Sequence, residues 1–413
     1  MEVNRRKAEL KAGESGPGAL VPQASPNLIE QLVDKRETVA FLQELVRIDS
    51  VNPPGNEAAV ATAMADRLDH PRLHLELVDL GAGRANLVAR LRGKDECPGL
   101  LLLGHTDTVP VGAESWTRDP FGAEIAEGRL YGRGASDMKG GLVAAAVALR
   151  ALAESGVEPT GDVVLAAVAG EEVDCFGSRA LLQASGLGGL GGIVVAEPTS
   201  LGLFVAHKGA VWVRLRASGR GAHGSMPELG ANAIQHLADL IARRAQLVRS
   251  DLRHPLLGAP TVSVGTIAGG AKTNVVADFC EATLDFRILP GQSRDDVLAA
   301  IAAVHNQLAD SGVALEIEVV NDRAPVVTTA DAPLIQAAAR VASEVLGAVA
   351  PGAVQFGSAA YYTDLSVLVP PSRLPALICG PGEPDQAHVR DEWVAIDKVV
   401  VAARFYADLA LEL

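Results

Sequence analysis

The sequence lacks the long apolar run that a membrane-spanning helix requires. No window offers about 18 consecutive apolar residues free of charged side chains, although hydrophobic residues make up 48% of the 413 residues. Positive charge is also in deficit, since the formal net charge is -14. A protein that grips phosphates needs clustered lysine and arginine. We therefore expect neither a membrane protein nor a nucleic-acid-binding protein.

Cysteine is scarce, and the first residues contain no apolar leader. The four cysteines lie far apart in the chain and form no C-x-x-C pair, so we expect free buried thiols. The start, MEVNRRKAELKAGESG, is polar and has no apolar stretch of the kind found in secretory signals. Both features favour a cytoplasmic protein. Residues 1–26, rich in glycine, proline and charge, are predicted to form a loose tail.

The length of 413 residues favours two domains, because a single core usually stops growing at about 250–300 residues. A helix is predicted from Ser25 and Pro26 to residue 48, where apolar residues recur at helical spacing. Four short apolar runs are typical of buried strands, and a helix over residues 142–155 lies between the second and third of them. Buried strands that alternate with helices predict an α/β sheet covered on both faces. The runs are ANLVARL, GLLLLGH, DVVLAAVAG and GGIVVAEP.

A different pattern occupies residues 208–321. It predicts a strand, a helix, two strands, a helix and a strand, which is the order βαββαβ of a compact two-layer unit. A further helix and a buried strand follow it. The simplest arrangement is a small domain inserted into a larger one. The larger domain would comprise residues 27–207 and 322–413, and the inserted domain residues 208–321.

Residues that bind metals follow the predicted strands. His105, the adjacent Glu171 and Glu172, and Glu197 each come directly after an apolar run. In open α/β sheets, ligands bind at this carboxyl edge. His105 is a suitable zinc ligand, and Asp107 could fix its tautomer; a histidine that caps a strand end is the alternative.

Three further features would each have an ordinary structural explanation if they stood alone. Asp137 stands among small residues in YGRGASDMKGG, where its carboxylate could bridge two metal ions or simply cap the next helix. Glu171 and Glu172 would repel each other without a nearby cation, unless both are solvated surface acids. His388 follows a loop rich in glycine and proline. Together, two histidines and three acids suit a pair of borderline metal ions such as zinc.

Five motifs occur in an order that is known from one family. HTDTVP, GRGASDMKGG, GEE, AEPT and GPG…AH resemble the M20 metallopeptidase family in order and approximate spacing. This family includes acetylornithine deacetylase, succinyl-diaminopimelate desuccinylase and carboxypeptidase-type hydrolases. The resemblance covers roughly residues 35–413. It implies a mixed-sheet α/β catalytic domain and an inserted, ferredoxin-like βαββαβ domain that serves as a lid and a homodimer interface.

The resemblance also implies two zinc ions, for which cobalt could substitute, and a role for each motif residue. Asp137 would bridge both ions. His105 and Glu197 would complete one site, and Glu172 and His388 would complete the other.

The same resemblance implies the residues that act beside the metal. Glu171 would be the general base, taking a proton from the attacking water and handing it to the leaving amine. Asp107 would orient His105. The peptide between Asp137 and Met138 is expected to be cis, as in relatives.

Substrate contacts are expected mainly from the inserted domain. His223 would stabilise the developing oxyanion, often from a dimer partner, and a surface loop histidine is the alternative. Arg287 would grip a substrate α-carboxylate, unless it forms a surface salt bridge, and Asn274 could also contact the substrate. In FGSAAYYTDLS, the residues expected beside the substrate are Gly357, Ser358, Thr363 and Asp364. The pair Tyr361–Tyr362 departs from the desuccinylase pattern.

The implied function is hydrolysis of the amide bond of an N-acyl amino acid. A dipeptidase or carboxypeptidase of the same family is the alternative, since it would share the metal centre and differ only in the substrate cavity. A binding or scaffold protein of this fold would not need Glu171 beside Glu172. A two-metal phosphatase would need a stronger cationic clamp than Arg287 provides.

Overall fold

The structure is a computed structural model that describes residues 26–184, 187–346 and 355–413. Residues 1–25 of the predicted tail lie outside the described residues. The single helix predicted up to residue 48 is wrong, because two helices form with a break at Val33 and Asp34. Asp34 is extended, with φ -76° and ψ 123°. Its side chain accepts a hydrogen bond of 2.9 Å from the N–H of Glu37, so it caps the second helix.

Helices and strands alternate along much of the chain. The helices are α1 Pro26–Leu32, α2 Lys35–Arg47, α3 Glu57–Arg67, α4 Gly140–Ser155, α5 Phe176–Gln183, α6 Ala233–Ala242, α7 Arg294–Asn306, α8 Pro333–Val345, α9 Leu365–Ser372 and α10 Ile396–Glu412. The strands are β1 Leu73–Gly81, β2 Arg84–Leu91, β3 Gly99–His105, β4 Glu124–Ala126, β5 Arg129–Tyr131, β6 Val163–Val168, β7 Leu190–Val195, β8 Leu203–His207, β9 Gly209–Ser218, β10 Thr261–Gly269, β11 Phe279–Ile288, β12 Ala314–Arg323, β13 Val326–Val327, β14 Phe356–Ala359, β15 Ala376–Ile378 and β16 Trp393–Ala395.

The largest sheet is mixed. Its strand order is β1-β2-β6-β3-β7-β15-β8-β13, and β14 pairs with β8 outside this path. β3 lies parallel to β6 and β7, whereas β1, β2 and β13 pair antiparallel with their neighbours. Every residue of β3 and β6 is buried, as their unbroken apolar sequences predict. Helix α4 packs against both strands. The α/β class and the mixed sheet are confirmed.

A separate antiparallel sheet has the strand order β10-β11-β9-β12. Its elements follow along the chain as β9, α6, β10, β11, α7 and β12, the βαββαβ order of the sequence pattern. Alternate residues of β9, among them Val211 and Val213, are buried in an apolar cluster with α6 and α7. Trp212 and Arg214 therefore lie on the opposite face. The domain boundaries at residues 208 and 321 stay a prediction.

A small third sheet, β16-β5-β4, joins distant parts of the chain. Trp393 of β16 pairs with Tyr131 of β5, and the N–H of Gly132 donates to the main-chain oxygen of Glu392 at 2.8 Å. This pairing places the segment around residue 392 beside residues 132–137, which carry Asp137.

Two predictions about composition can be compared with the fold. All four cysteines are free, as expected; Cys97 is half-buried and the other three are buried. Among the described residues, no helix is both long enough and apolar enough to cross a membrane.

Candidate metal centre

Three neighbouring strands of the largest sheet carry polar residues at the same edge. His105 is the last residue of β3, Glu171 and Glu172 lie in the turn after β6, and Glu197 comes just after β7. Because β6, β3 and β7 are adjacent and parallel, their carboxyl ends meet. The structure thus brings these four residues to one edge.

His105 is buried at the centre of this edge. Its Nε2 lies 3.2 Å from Oδ1 of Asp137 and 3.8 Å from Oε1 of Glu197. Its Nδ1 lies 3.0 Å from the main-chain oxygen of Asp107, which can only accept a hydrogen bond. Nδ1 therefore carries a proton, so Nε2, on the side of the acids, is the nitrogen that could bind a metal ion.

Asp137 faces two histidines. Its Oδ2 lies 3.3 Å from Nε2 of His388, while Oδ1 faces His105. Nε2 of His388 is also 3.3 Å from Oε1 of Glu172. The peptide between Asp137 and Met138 is cis. One carboxylate therefore presents one oxygen to each histidine, the arrangement needed of a ligand shared by two ions.

The spacing of these donor atoms fits a metal site. The candidate ligand atoms of His105, Asp137 and Glu172 all lie within 4.8 Å of one another, and so do those of His105, Glu171 and Glu197. Nitrogen and oxygen donors about 2.0–2.2 Å from a tetrahedral zinc lie roughly 3.3–3.6 Å apart. The observed 3.2 and 3.3 Å separations are close to this range. The second group also places Glu171, the predicted base, within 4.8 Å of His105.

Buried negative charge dominates the electrostatics of the site. Burial, and then the carboxylate of Glu197, raises the pKa of Glu171 well above its ordinary value. Burial, and then Asp137, does the same to the pKa of Glu197. Burial lowers the pKa of His105, but hydrogen bonding to Asp137 and the charge of Glu197 outweigh it, so the net shift is upward. Each shift expresses an excess of buried negative charge that divalent cations would neutralise.

Asp107 supports the turn that carries the paired acids. Its Oδ1 accepts hydrogen bonds from the N–H groups of Gly170 (3.0 Å) and Glu171 (3.2 Å), and its Oδ2 accepts one from the N–H of Glu172 (3.3 Å). Its carboxylate is 3.6 Å from Nδ1 of His105, farther than its main-chain oxygen. Asp107 thus contacts His105 through the main chain and fixes the position of the paired acids through its carboxylate.

Glu392 is a site residue that the sequence analysis misses. It is fully buried, and its Oε1 accepts hydrogen bonds from the N–H groups of Ser136 (2.8 Å) and Asp137 (3.0 Å). Its Oε2 accepts from the N–H of Gly134 at 3.0 Å and from Nη1 of Arg133 at 2.7 Å. The only signal for it in the sequence is an acid in the RDEW stretch after His388. Glu392 therefore holds the loop that presents Asp137.

We expect Glu392→Gln to destabilise the protein strongly. The amide keeps the shape of the side chain but leaves the buried Arg133 guanidinium without a counter-charge. Breaking a buried ion pair in this way costs about 3–5 kcal/mol. Urea unfolding of the variant and the parent protein measures the loss. The matched control is Glu316→Gln, which alters an exposed acid of β12 and should leave the unfolding curve in place. Equal effects of the two variants would contradict the role of Glu392 in holding the loop that presents Asp137.

A cavity of about 330 Å³ opens onto the acids and His388. Arg287 lies in its wall, together with Trp212, Tyr361 and Tyr362. The Arg287 guanidinium donates to Oδ2 of Asp285 from Nε at 3.1 Å and from Nη2 at 2.9 Å. Arg287 therefore lies where it could contact a substrate, and it also forms the salt bridge that was the alternative to that role.

The other substrate residues expected from the inserted domain do not line this cavity. His223 and Asn274 are exposed and adjacent: His223 pairs with Val275, and the N–H of Gly224 donates to the main-chain oxygen of Asn274 at 2.8 Å. The Nδ1 of His223 lies 2.8 Å from the hydroxyl of Ser225. A role for either residue at the metal centre therefore requires closure of the cavity or a second chain.

The four residues expected beside the substrate in FGSAAYYTDLS do not line the cavity either. A Cβ at Gly357 would meet the ring of Phe204 at 2.4 Å, so this glycine serves close packing. The Ser358 hydroxyl donates to the main-chain oxygen of Leu256 at 2.9 Å. Thr363 and Asp364 are buried. Burial raises the pKa of Asp364 to about 6. Within the described chain, it is the two tyrosines of this segment that reach the cavity.

Comparison with protein families matches residues 101–412 to the peptidase family M20/M25/M40. The chain belongs to this family. As an M20 protein it is an enzyme, a hydrolase of amide or peptide bonds, and its histidines and acids are consistent with the metal dependence of the family.

Named relatives of this M20 enzyme cover most of the chain. A probable succinyl-diaminopimelate desuccinylase of Staphylococcus aureus (strain MSSA476) is 30% identical over 393 residues, covering 88% of this chain and 94% of the relative. An acetylornithine deacetylase of Proteus mirabilis (strain HI4320) is 31% identical over 360 residues, covering 84% and 87%. The crystal structure of aminopeptidase PepT from Bacillus cereus ATCC 10987 matches with a TM-score of 0.76 at 20% identity, covering 92% and 99% of the two chains. At that identity the match supports the fold alone.

Proposed function

We propose that this M20 enzyme is a two-zinc amidohydrolase that releases the acyl group from N-acyl amino acids. The observation that supports it most is the position of Asp137, whose oxygens lie 3.2 and 3.3 Å from His105 and His388. Glu197 would complete the set around His105, and Glu172 the set around His388. Cobalt could substitute for zinc, since imidazole and carboxylate donors suit both ions.

When bound, the metal ions polarise a carbonyl group and lower the pKa of a water molecule to about 7. Glu171 borders the cavity, takes a proton from the attacking water, and returns it to the nitrogen as the C–N bond breaks. The backbone N–H groups of Glu171 and Glu172 both bond to Asp107. Asp107 therefore keeps the base and its neighbouring acid in fixed orientations.

A hydrolysis screen tests this function against the alternative in the same family. The zinc-loaded protein is offered N-acetyl, N-succinyl and N-formyl amino acids beside simple dipeptides. Release of acyl groups with little dipeptide cleavage is the expected result. Cleavage of dipeptides alone would favour a dipeptidase or carboxypeptidase. Hydrolysis of none of these amides would contradict the proposal.

Arg287→Ala should mainly impair substrates that carry a free α-carboxylate. The guanidinium faces the cavity and can pair with a carboxylate in two-point fashion. Loss of such a contact typically costs about 2–5 kcal/mol, so we expect kcat/KM to fall by at least about 30-fold. The control is the carboxylate-free amide of the same amino acid, which should lose little. Equal losses on both substrates would contradict the carboxylate role.

We also propose a homodimer that forms through the sheet β10-β11-β9-β12. Strand β10 is at the edge of this sheet, and its Ile267 is 50% exposed. An open edge strand with exposed apolar residues is suited to pairing with another chain. His223 and Asn274, which do not line their own cavity, could then serve the partner's site.

Mixing two inactive variants tests the shared site. His223→Ala and Glu171→Gln chains, each inactive alone, should regain activity when mixed, because a mixed dimer has one site with both residues intact. Absence of recovery in a mixture shown to contain mixed dimers would contradict a contribution of His223 to the partner.

The cytoplasmic location of the protein stays a prediction from the sequence.

A further inference from the structure

Aromatic side chains are concentrated at the cavity. The whole sequence has four tyrosines and three tryptophans, and aromatic residues make up 4% of it. Two of those tyrosines, Tyr361 and Tyr362, and one tryptophan, Trp212, line the cavity beside the metal centre. The Tyr361–Tyr362 pair is also the feature that departs from the desuccinylase pattern. A chain with few aromatic residues thus places three of them where a substrate would bind.

The three rings come from two parts of the fold. Trp212 lies on β9 of the antiparallel sheet, whereas both tyrosines lie between β14 and α9. The Trp212 and Tyr362 rings pack edge to face, with centroids 6.4 Å apart and an interplanar angle of 62°. The Tyr361 hydroxyl donates to the main-chain oxygen of Pro198 at 2.8 Å, so its polar group is already satisfied. We name Trp212, Tyr361 and Tyr362 the aromatic wall.

Two arginines flank the aromatic wall. The guanidinium carbons of Arg287 and Arg323 lie 5.9 and 5.7 Å from the centre of the Tyr362 ring. Arg323 is fixed there, since its Nη2 donates to the main-chain oxygen of Asp174 at 2.8 Å and its side chain is 8% exposed. The carboxylates nearest to the two arginines, Asp285 and Asp174, are already paired with them. A cationic side chain placed against Tyr362 would therefore compete with the arginines for these acids, whereas an apolar side chain would only have to displace water.

We propose that the aromatic wall makes the site selective for N-acyl amino acids with an apolar or aromatic side chain over those with a cationic side chain. This inference rests on the proposed amidohydrolase function and narrows its substrate class. An aromatic side chain would pack on Tyr362 and Trp212 and bury apolar area. An ammonium group would be desolvated beside Arg287 and Arg323, whose carboxylate partners Asp285 and Asp174 are already engaged, and the carboxylates of the proposed metal ligands would face the metal ions.

N-acetyl-L-phenylalanine and N-acetyl-L-ornithine form the critical comparison, because they share the acyl group and the α-carboxylate. For the zinc-loaded full chain, we expect kcat/KM to be at least about 10-fold higher for the phenylalanine substrate, since an unfavourable charge interaction of about 1.4 kcal/mol, within the range of partly screened like charges, lowers binding by that factor. Tyr362→Ala should reduce this ratio toward one. Tyr362→Phe is the matched control and should preserve it, because the ring and not the hydroxyl forms the wall.

The ratio of kcat/KM for the two substrates, in the parent protein and in the variants, decides whether the inference holds. Equal or faster hydrolysis of N-acetyl-L-ornithine by the parent protein would overturn it while leaving the amidohydrolase function intact. Should the acyl screen show that only another acyl group is removed, phenylalanine and ornithine carrying that acyl group give the same ratio. Hydrolysis of no acyl amino acid in the screen would overturn both the inference and the amidohydrolase function. Should Tyr362→Ala fail to fold, Trp212→Ala provides the same measurement from the other side of the wall. A ratio unchanged in a folded alanine variant would overturn the role of the wall.

Discussion

We expect Glu171→Gln to reduce hydrolysis strongly while the protein keeps its metal. Glutamine has nearly the same shape as glutamate but cannot accept the proton of the attacking water. A positioned general base contributes about 10²–10⁴-fold, so kcat should fall by at least about 100-fold. The proposed metal ligands are untouched in this variant. We therefore expect elemental analysis to find as much zinc per chain as in the parent protein.

The neighbouring acid supplies the control for this experiment. Glu172→Gln changes a residue whose Oε1 lies 3.3 Å from Nε2 of His388, so it should lower metal content as well as activity. The two adjacent acids should therefore differ: Glu171→Gln loses activity but keeps its zinc, whereas Glu172→Gln loses both activity and zinc. An active, zinc-loaded Glu171→Gln protein would contradict the base assignment.

Asp137→Ala should weaken both metal positions together. Among the residues that the structure describes, Asp137 is the one carboxylate within 4 Å of both His105 and His388, so its removal takes a ligand from each proposed site. Removing an outer partner of a metal ligand already costs about 10–100-fold in affinity or activity. We expect the loss of a shared ligand to exceed about 100-fold in zinc affinity, measured by titration against a competing chelator.

Asp385→Ala is the matched control for Asp137. Asp385 is an exposed acid in the turn Pro384–Gln386, close to His388 in sequence, and its loss should leave zinc affinity unchanged. Asp137→Ala would contradict the bridging role if it bound two zinc ions as tightly as the parent protein does.

Much of the sheet and of the candidate ligand positions can be predicted from sequence. The four apolar runs are long enough and uniform enough to specify buried strands, and they form β2, β3, β6 and β7. Polar residues that follow such runs come together because parallel neighbours share one edge. The break between α1 and α2 is harder to predict, since the apolar spacing continues across it. Its only local signal is Asp34 three residues before Glu37, a capping pattern.

What cannot be predicted depends on contacts between distant residues. Glu392 bonds to residues more than 250 positions earlier in the chain, and nothing near it in sequence indicates that pairing. The position of Tyr362 against Trp212 likewise depends on how β9 meets the β14–α9 segment. The proposed role of His223 in a partner's site depends on a second chain, which a single sequence does not describe.

Metal removal and restoration test the central claim most directly. The protein is freed of metal by chelation, its metal content is checked, and hydrolysis of an N-acetyl amino acid is followed as zinc is returned. A metal-dependent amidohydrolase built on Asp137 and the two histidines loses activity with its metal and regains it as about two zinc ions bind per chain. Undiminished hydrolysis by protein shown to contain no metal would contradict the account.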